Sequence, residues 1–224
     1  MNVLVACEFS GIVRDAFRAR GHNAWSCDLL PCEGDPRWHM RCSIRTEIVG
    51  WGKGRMPWDL MIAHPPCTRL TNSGVRWLHD PPKNRQSGYP LAWARMTKAE
   101  RLKWLWNELD KAARFYAQFR NAPIPLKAIE NPIMHKYARE RINIGHRQIV
   151  QPWWFGDKAF KATGFELIGL PDLVPTNKLT PPAKGTDEHK AWSAVHRASP
   201  GPDRWKERSR TYQGIAKAMA EQWG

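Results

Sequence analysis

The chain has few cysteines, and their spacing is typical of neither a disulfide framework nor a metal site. Its five cysteines are an odd number and include no C-x-x-C pair, which argues against disulfide staples and against a structural zinc site. A zinc site built from Cys27, Cys32, His39 and Cys42 stays open as a minor alternative, but we expect no bound metal. This cysteine usage also favours a reducing compartment.

Long apolar runs and a secretory signal are lacking as well. No segment approaches the ~20 apolar residues that a membrane span needs. The first residues, Met-Asn-Val-Leu-Val-Ala-Cys, contain neither the charged nor the apolar region of a signal peptide. We therefore predict a cytoplasmic protein with no membrane partner.

Acidic residues are scarce beside basic ones. The 224 residues include 21 Asp and Glu against 35 Lys and Arg, a formal net charge of +14. Such an excess attracts polyanions, and the 13 Trp and 4 Tyr could stack on bases. We predict nucleic-acid binding, with a charge tuned only for solubility as the alternative. The length and the 42% of hydrophobic residues suit one domain over residues 1–224, which we expect to be monomeric.

Alternating strand and helix signals predict an α/β fold with a mostly parallel sheet. Short apolar runs predict strands at 2–7, 22–27, 58–63 and 125–129. Ser10 and Gly21 suit the two ends of the first helix. Apolar residues at helical spacing predict a long helix over 97–119 and a final helix over 211–223. The polar segment 71–89 is predicted to form a long loop above one sheet edge.

The region after residue 151 has a looser pattern. Residues 171–208 contain six prolines among Thr, Lys and Asp, a composition that predicts an extended, partly mobile excursion without regular structure.

One cysteine stands where the third predicted strand stops. The apolar run ends at Pro65-Pro66-Cys67, and two prolines force the chain to turn there. In an open α/β sheet the carboxyl ends of the strands carry the active site. Cys67 is therefore a candidate nucleophile, although a buried thiol near a turn is the commoner fate of a cysteine. Glu130 and Asn131 follow the next predicted strand.

The first two strands end in a pattern typical of nucleoside binding. Phe9-Ser10-Gly11 follows the first strand as a small-residue turn, and Asp28 ends the second strand, where an acid can hold ribose hydroxyls. Because G-x-G-x-x-G and G-x-x-x-x-G-K are both missing, a cofactor without a pyrophosphate is favoured over a dinucleotide or a triphosphate.

Taken in order, these elements resemble the DNA cytosine-5 methyltransferases, above all the compact bacterial and phage forms. Phe9-Ser10-Gly11 resembles the F-x-G turn under S-adenosylmethionine, and residues 211–214 resemble the last cofactor motif. Pro65-Pro66-Cys67 resembles the loop that carries the nucleophile, and Ile129-Glu130-Asn131-Pro132 resembles the E-N-V motif. The resemblance covers most of the chain. It implies a Rossmann-like S-adenosylmethionine-dependent methyltransferase fold with helices on both faces of the sheet, in the cytoplasm of a bacterium or a phage-infected cell.

The resemblance also implies roles for individual residues. Cys67 would add to C6 of cytosine, Glu130 would protonate N3, and Asn131 would position that carboxyl or the loop of the nucleophile. The implied cofactor-binding residues are Phe9, Ser10, Gly11, Asp28, Leu29, Ser43, Pro65 and Gly214. Two positions depart from the family pattern: Ser43 replaces an acid that contacts the adenine, and Ala63-His64 replaces the glycine before the prolines.

The predicted nucleic-acid partner is double-stranded DNA with the target base flipped out of the helix. Contacts are expected from the loop after Cys67 and from residues that replace the missing Q-x-R-x-R motif; the candidates are Arg69, Arg76, Lys83, Arg85, Arg147, Lys158 and Lys161. Trp77 could fill the gap left by the base, or the loop could be a solvated basic segment with Trp77 packed inward. Residues 153–208 are a candidate minimal target-recognition region.

Two other functions stay open at this point. The chain could be a binding protein that kept the methyltransferase fold without activity. It could also be a transferase that acts on RNA or a free nucleotide, or that uses a modified relative of S-adenosylmethionine.

Overall fold

The sheet is mixed and has one point at which its strand order reverses. The computed structural model describes residues 1–49, 57–131, 133–197 and 204–224. Seven strands of this part of the chain form one sheet in the order β3-β2-β1-β4-β5-β7-β6. They are β1 (Asn2–Ala6), β2 (Asn23–Asp28), β3 (His39–Arg41), β4 (Leu60–Ala63), β5 (Leu126–Glu130), β6 (Arg147–Val150) and β7 (Thr163–Ile168). Strands β1 to β5 pair in parallel, and β7 runs antiparallel to both β5 and β6.

Helices connect these strands and cover both faces of the sheet. In the described ranges they are α1 (Ile12–Ala19), α2 (Ile44–Val49), α3 (Asn72–Val75), α4 (Lys98–Arg120), α5 (Lys136–Ile142), α6 (Asp187–Trp192), α7 (Ala194–Arg197), α8 (Arg204–Ser209) and α9 (Gln213–Gln222). One apolar cluster packs α4 on the sheet through Leu105, Leu109 and Phe119. A second cluster packs α1 and α9 on the opposite face, with Phe17 and Met219 fully buried. The predicted α/β architecture is confirmed.

Helix α1 begins differently from the prediction. Its N-cap is Gly11, with a φ of 76°. Ser10 lies one residue before the cap, and its hydroxyl accepts from the amide of Ile12 at 3.4 Å. The carboxylate of Glu8 accepts hydrogen bonds from the next two amides, those of Val13 (2.7 Å) and Arg14 (3.3 Å). A buried acid upstream of Ser10 is thus the main acceptor for the free amides of the first turn.

Helix α4 begins as the sequence predicts. The side chain of Thr97 accepts from the amide of Glu100, and the Glu100 carboxylate accepts from the amide of Thr97, which forms a capping box. None of the described helices combines the length and the apolar character that crossing a membrane requires.

Strands β3, β6 and β7 were not predicted. Strand β3 has only three residues, and β6 is a half-exposed edge strand. Strand β7 is almost fully buried, but it contains Glu166, which interrupts the apolar run. Tyr116 (3.1 Å) and Arg120 (2.9 Å) donate hydrogen bonds to the carboxylate of Glu166. Strand β7 lies within the candidate target-recognition region 153–208, so that part of the region belongs to the central sheet.

The two segments predicted as irregular contain short helices. Residues 71–89 include α3 and a 3₁₀ turn at Arg76–Leu78. Trp77 is half-buried against the core, as in the packed-inward alternative. Residues 171–208 include α6, α7 and α8, so the prediction that this segment lacks regular structure is wrong. Thr186 shows the physical reason: its hydroxyl accepts from the amide of His189 at 3.1 Å and caps α6.

Candidate active site

Three neighbouring parallel strands end at the same level. The register pairs Ala6 of β1 with Ala63 of β4, and Ala63 with Ile129 of β5. The next residues, His64 and Glu130, therefore emerge side by side at the carboxyl edge. The predicted residues Cys67 and Asn131 follow within the same loops. This edge is where ligand sites of open α/β sheets lie.

A buried ion pair occupies the centre of this edge. Nδ1 of His64 lies 2.5 Å from Oε2 of Glu130, and the two side chains are 8% and 12% exposed. Burial lowers the pKa of His64, but the hydrogen bond and charge of Glu130 outweigh it, so the pKa is raised. Burial raises the pKa of Glu130, but Lys161 and His64 outweigh it, so the pKa is lowered. Both shifts favour the charged pair.

Sequence reasoning missed His64 as a site residue. The only available signal was the histidine at a position where the resembled family has glycine. The role of Glu8 was missed as well. Its side chain is 4% exposed, and burial raises its pKa despite the opposing charge of His64 and the two amides it caps. An acid directly after a buried strand was the signal for it.

Cys67 lies in the turn that the two prolines force. It is half-buried, and its carbonyl accepts from the amides of Leu70 (2.8 Å) and Thr71 (3.2 Å). Burial raises the pKa of its thiol, the charge of Glu130 raises it further, and Lys161 and Arg208 oppose them. Cys67 and Glu130 are thus close enough to interact electrostatically, and the surroundings of the thiol favour its neutral form.

Asn131 has a buried side chain with free hydrogen-bonding atoms. It is 2% exposed, and neither its Oδ1 nor its Nδ2 has a partner among the residues that the structure describes. Its backbone is fixed: the amide donates to the carbonyl of Gly164 at 2.7 Å, and the carbonyl accepts from Arg147 at 3.1 Å. Buried polar atoms are rarely left unpaired, so this amide is a candidate ligand contact. Pro132, the last residue of the resembled motif, lies outside the described residues.

Gly164 permits this arrangement of Asn131 and Arg147. A Cβ at Gly164 would lie 2.6 Å from the Asn131 carbonyl oxygen and 2.7 Å from Nε of Arg147. Only glycine lets β7 approach β5 this closely while the guanidinium crosses it.

The predicted cofactor turn follows β1 directly. Cys7 takes a φ of 58°, a conformation rare outside glycine that often marks functional loops. Phe9 is buried and packs on Trp205 with ring centroids 6.1 Å apart. Asp28 ends β2 nearby: burial, and then the charge of Asp28, raise the pKa of the Cys7 thiol to about 12.

The residues around this turn fit a nucleoside without phosphates. Glu8 already takes the first amides of α1, so the helix start offers no site for a phosphate anion. Asp28 is half-exposed and uses Oδ1 to accept from Leu30 at 2.9 Å, which leaves Oδ2 for a ribose hydroxyl. Leu29 beside it is 71% exposed, an apolar surface on which a base can lie.

The other predicted cofactor residues differ in what they offer. Ser43 is exposed, and Pro65 is buried below the turn before Cys67. The amide of Gly214 donates to Oδ2 of Asp157 at 2.8 Å, so it is not a free donor in this conformation.

The predicted nucleic-acid residues fall into three groups: four exposed side chains, Arg69, and the two residues Arg147 and Lys161. Arg76, Lys83, Arg85 and Lys158 are exposed. Arg69 is half-buried instead, with its guanidinium 4.9 Å from the ring centroid of Tyr89 and 5.2 Å from that of Trp104.

Lys161 lies close to the ion pair, and Arg147 lies close to Asn131. The charge of Lys161 lowers the pKa of Glu130, and its Nζ donates to the carbonyl of Arg210 at 3.1 Å. Arg147 is held on the carbonyl of Asn131. The two residues are therefore placed beside the predicted catalytic residues.

The described residues contain no cluster of three or more His, Cys, Asp or Glu that could hold a metal ion. Both ring nitrogens of His39 are already engaged, by Ser26 at 2.9 Å and by the carbonyl of Leu30 at 3.0 Å. The minor zinc alternative therefore has no free histidine ligand.

The strand order, with its reversal between β1 and β4 and its antiparallel β7, is consistent with the predicted Rossmann-like methyltransferase fold. The chain is similar in fold to a crystallised protein, encoded within an E. coli prophage, that is thought to be a DNA modification methyltransferase. The two share 16% identity and a TM-score of 0.43, and the match covers 80% of this chain and 52% of that chain. The chain thus spans about half the length of that protein. No protein-family model and no curated protein matches the sequence.

Proposed function

We propose that the protein is an S-adenosylmethionine-dependent DNA methyltransferase that methylates C5 of a flipped cytosine. The observation that carries this proposal is the placement of Cys67 and Glu130 at adjacent strand ends, close enough for the charge of Glu130 to raise the pKa of the thiol. The unpartnered amide of Asn131 lies in the same loop as Glu130. All of these residues come from one chain, so the proposed site needs no residue from a second subunit.

The arrangement suits addition to a pyrimidine ring. C5 of cytosine is not nucleophilic, and a thiolate that adds at C6 supplies electron density to C5. Cys67 is the proposed nucleophile, and Glu130 faces N3, which must gain a proton as the sulfur adds. The thiol must first lose its own proton. Lys161 and Arg208 are the cations whose charges lower the pKa of Cys67, so movement of either toward the sulfur would favour the thiolate.

The cofactor would lie over the first two strand ends. Phe9, Ser10 and Gly11 form the turn beneath it, Asp28 accepts from the ribose hydroxyls, and Leu29 offers an apolar surface to the adenine. When bound, S-adenosylmethionine supplies an electrophilic methyl group. The side chains of this chain bind and orient it and hold the base against it.

The DNA substrate is supported by the charge of the chain and by its distribution. Flipping a base costs on the order of a few kcal/mol, which contacts to the backbone must offset. The exposed side chains Arg76, Lys83 and Arg85 follow Cys67 on the loop above the sheet edge. If these contacts are electrostatic, the affinity for duplex DNA falls steeply with salt concentration, and an affinity independent of salt would contradict them.

Covalent trapping tests the proposal. Duplex DNA with 5-fluorocytosine keeps its fluorine at C5 after methyl transfer, so the enzyme cannot eliminate and stays bound through sulfur. We expect an adduct that survives denaturation in the presence of S-adenosylmethionine and is absent in Cys67→Ala. Cys32→Ser is the matched control, because Cys32 is also half-buried but accepts from Arg14 at 3.3 Å, away from Glu130. Trapping in Cys67→Ala would remove Cys67 as the nucleophile, and loss of trapping in Cys32→Ser would show that the effect of Cys67→Ala is not specific to its thiol.

One observation favours a second function, binding without turnover. Burial and Glu130 raise the pKa of the Cys67 thiol, which opposes nucleophilic chemistry. A wild-type protein that binds DNA and S-adenosylmethionine but forms no adduct at any pH would establish this alternative. Formation of the adduct on RNA but not on DNA would show that RNA is the substrate.

A further inference from the structure

We propose that His64 is a positioning residue that holds, through its 2.5 Å hydrogen bond to Glu130, the proton that Glu130 delivers to the target base. This inference rests on the proposed function and adds a residue to it. It comes from the geometry of the pair and not from the resemblance, because the resembled family has a glycine where this chain has Ala63-His64.

The pair is largely shielded from water, and the register of the sheet forms it. His64 and Glu130 follow paired positions of β4 and β5, Ala63 and Ile129, so the backbone register fixes their distance. The side chains are 8% and 12% exposed. A proton between them therefore exchanges with the target base more readily than with bulk solvent.

Within the described ranges the imidazole makes one hydrogen bond. Nδ1 is committed to Glu130, and Nε2 is buried without a partner among the described residues. A histidine that only stabilised the fold would be expected to use both nitrogens, since unpaired buried polar atoms cost about 1–3 kcal/mol each. The arrangement is instead that of a group committed to one proton position.

The chemistry requires a group that holds the proton until the base binds. A carboxylate can protonate N3 only if it carries a proton, and Lys161 and His64 lower the pKa of Glu130. The proton of the pair therefore resides on His64 Nδ1 before the base binds.

The transfer balances without another reactant. The Cys67 thiolate forms the bond to C6, the C5–C6 π pair becomes the C4–C5 π bond, and the C4–N3 π pair is left on N3. The Nδ1 proton crosses to Glu130, and Glu130 passes it to N3. His64 ends neutral, Glu130 ends ionised, and elimination of the sulfur returns the proton along the same route.

The charged groups that face His64 act in opposite directions. Glu130 and Glu8 raise its pKa, while burial and Lys161 lower it. We therefore expect the trapping rate of the wild-type protein to change with pH as His64 titrates, at a pH that depends on the charges of Glu130 and Glu8.

The first test replaces His64 with a residue that keeps the hydrogen bond but does not release a proton. The amide of His64→Asn can donate to Glu130 from nearly the same position as Nδ1. At about pH 7.5 we expect adduct formation with 5-fluorocytosine DNA to slow by about 100-fold or more, the usual contribution of a general acid. The rate should recover toward the wild-type rate near about pH 5, where Glu130 takes up solvent protons. The affinities for DNA and S-adenosylmethionine should not change.

The second test does not depend on activity. NMR titration of labelled imidazoles, with His64 assigned from His64→Asn, should show His64 protonated at neutral pH in the wild-type protein. In Glu130→Gln its titration should move to lower pH.

Each outcome decides between the two proposals. If the wild-type protein traps DNA and His64→Asn traps it at the same rate at every pH, the role of His64 is overturned and the proposed function stands. The same holds if His64 titrates alike in the wild-type protein and Glu130→Gln. If the wild-type protein forms no adduct while the NMR shows the coupled pair, the proposed function fails and the role of His64 fails with it.

Discussion

Replacing Glu130 by glutamine should destabilise the protein in a way that depends on pH. The change keeps the shape of the side chain but removes the charge that His64 faces at 2.5 Å. Breaking a buried ion pair by neutralising one partner costs about 3–5 kcal/mol when the other charge stays buried. The nearly complete burial of both side chains, 8% and 12% exposed, places this pair in that class and not among surface pairs.

The pH window follows from the direction of the two shifts. The folded-state pKa of His64 lies above its ordinary 6.5, so its contribution is complete below 6.5 and is lost as pH rises through the raised value. The folded-state pKa of Glu130 lies below its ordinary 4.5, so its contribution is present above 4.5 and is lost as pH falls through the lowered value. The pair stabilises the fold most between these ordinary values.

We therefore expect Glu130→Gln to lower the free energy of unfolding by about 3–5 kcal/mol near about pH 5.5. At a pH above the raised pKa of His64 the imidazole is neutral, and the loss should fall to about 1.5 kcal/mol or less, the net value of an ordinary hydrogen bond. Urea denaturation at both pH values measures the difference.

The control is Glu108→Gln, which breaks an exposed ion pair with Lys111. It should lower the free energy of unfolding by less than about 1 kcal/mol at either pH. An equal loss at the two pH values for Glu130→Gln would refute the ion pair, because a neutral hydrogen bond has no such dependence.

Three further predictions concern other parts of the site. Gly164→Ala places a Cβ 2.6 Å from a backbone oxygen and should lower the free energy of unfolding, measured by urea denaturation, by about 1–3 kcal/mol. Gly145→Ala, where the nearest atom to the added Cβ lies at 3.5 Å, should lower it less. Equal losses in the two variants would contradict the close packing at Gly164. Burial raises the pKa of the Cys67 thiol, so its alkylation by iodoacetamide should keep accelerating above the pKa of a free cysteine, and a plateau near neutral pH would show an activated thiolate instead. Asp28→Asn should weaken S-adenosylmethionine binding by about 10- to 100-fold in calorimetry, the value of a hydrogen bond to a charged group, and unchanged binding would remove Asp28 from the cofactor site.

Several features could be predicted because the sequence encodes them locally. A run of apolar residues ended by Pro65 and Pro66 must be a strand followed by a turn, whatever surrounds it. The carboxyl ends of parallel strands meet at one edge, so Cys67 and Glu130 could be placed together before any coordinates.

The position of Arg69 could not be predicted in this way. Its charge and its place after Cys67 suggested DNA contact, but its guanidinium packs on Tyr89 and Trp104. The faces of aromatic rings attract a guanidinium, and these rings belong to residues 20 and 35 positions further along the chain. Only the packing of α4 on the sheet brings them together.

The sequence alone therefore determined the α/β class, most of the parallel strands and the edge that carries Cys67, since these depend on apolar periodicity and proline geometry. The tertiary structure decided the electrostatics of that edge. Whether His64 faces Glu130 or solvent depends on which strands are neighbours and on their register, and these two residues are 66 positions apart. Sheet order is a long-range property, so the lowered pKa of Glu130 and the raised pKa of the Cys67 thiol could be inferred only from the folded chain.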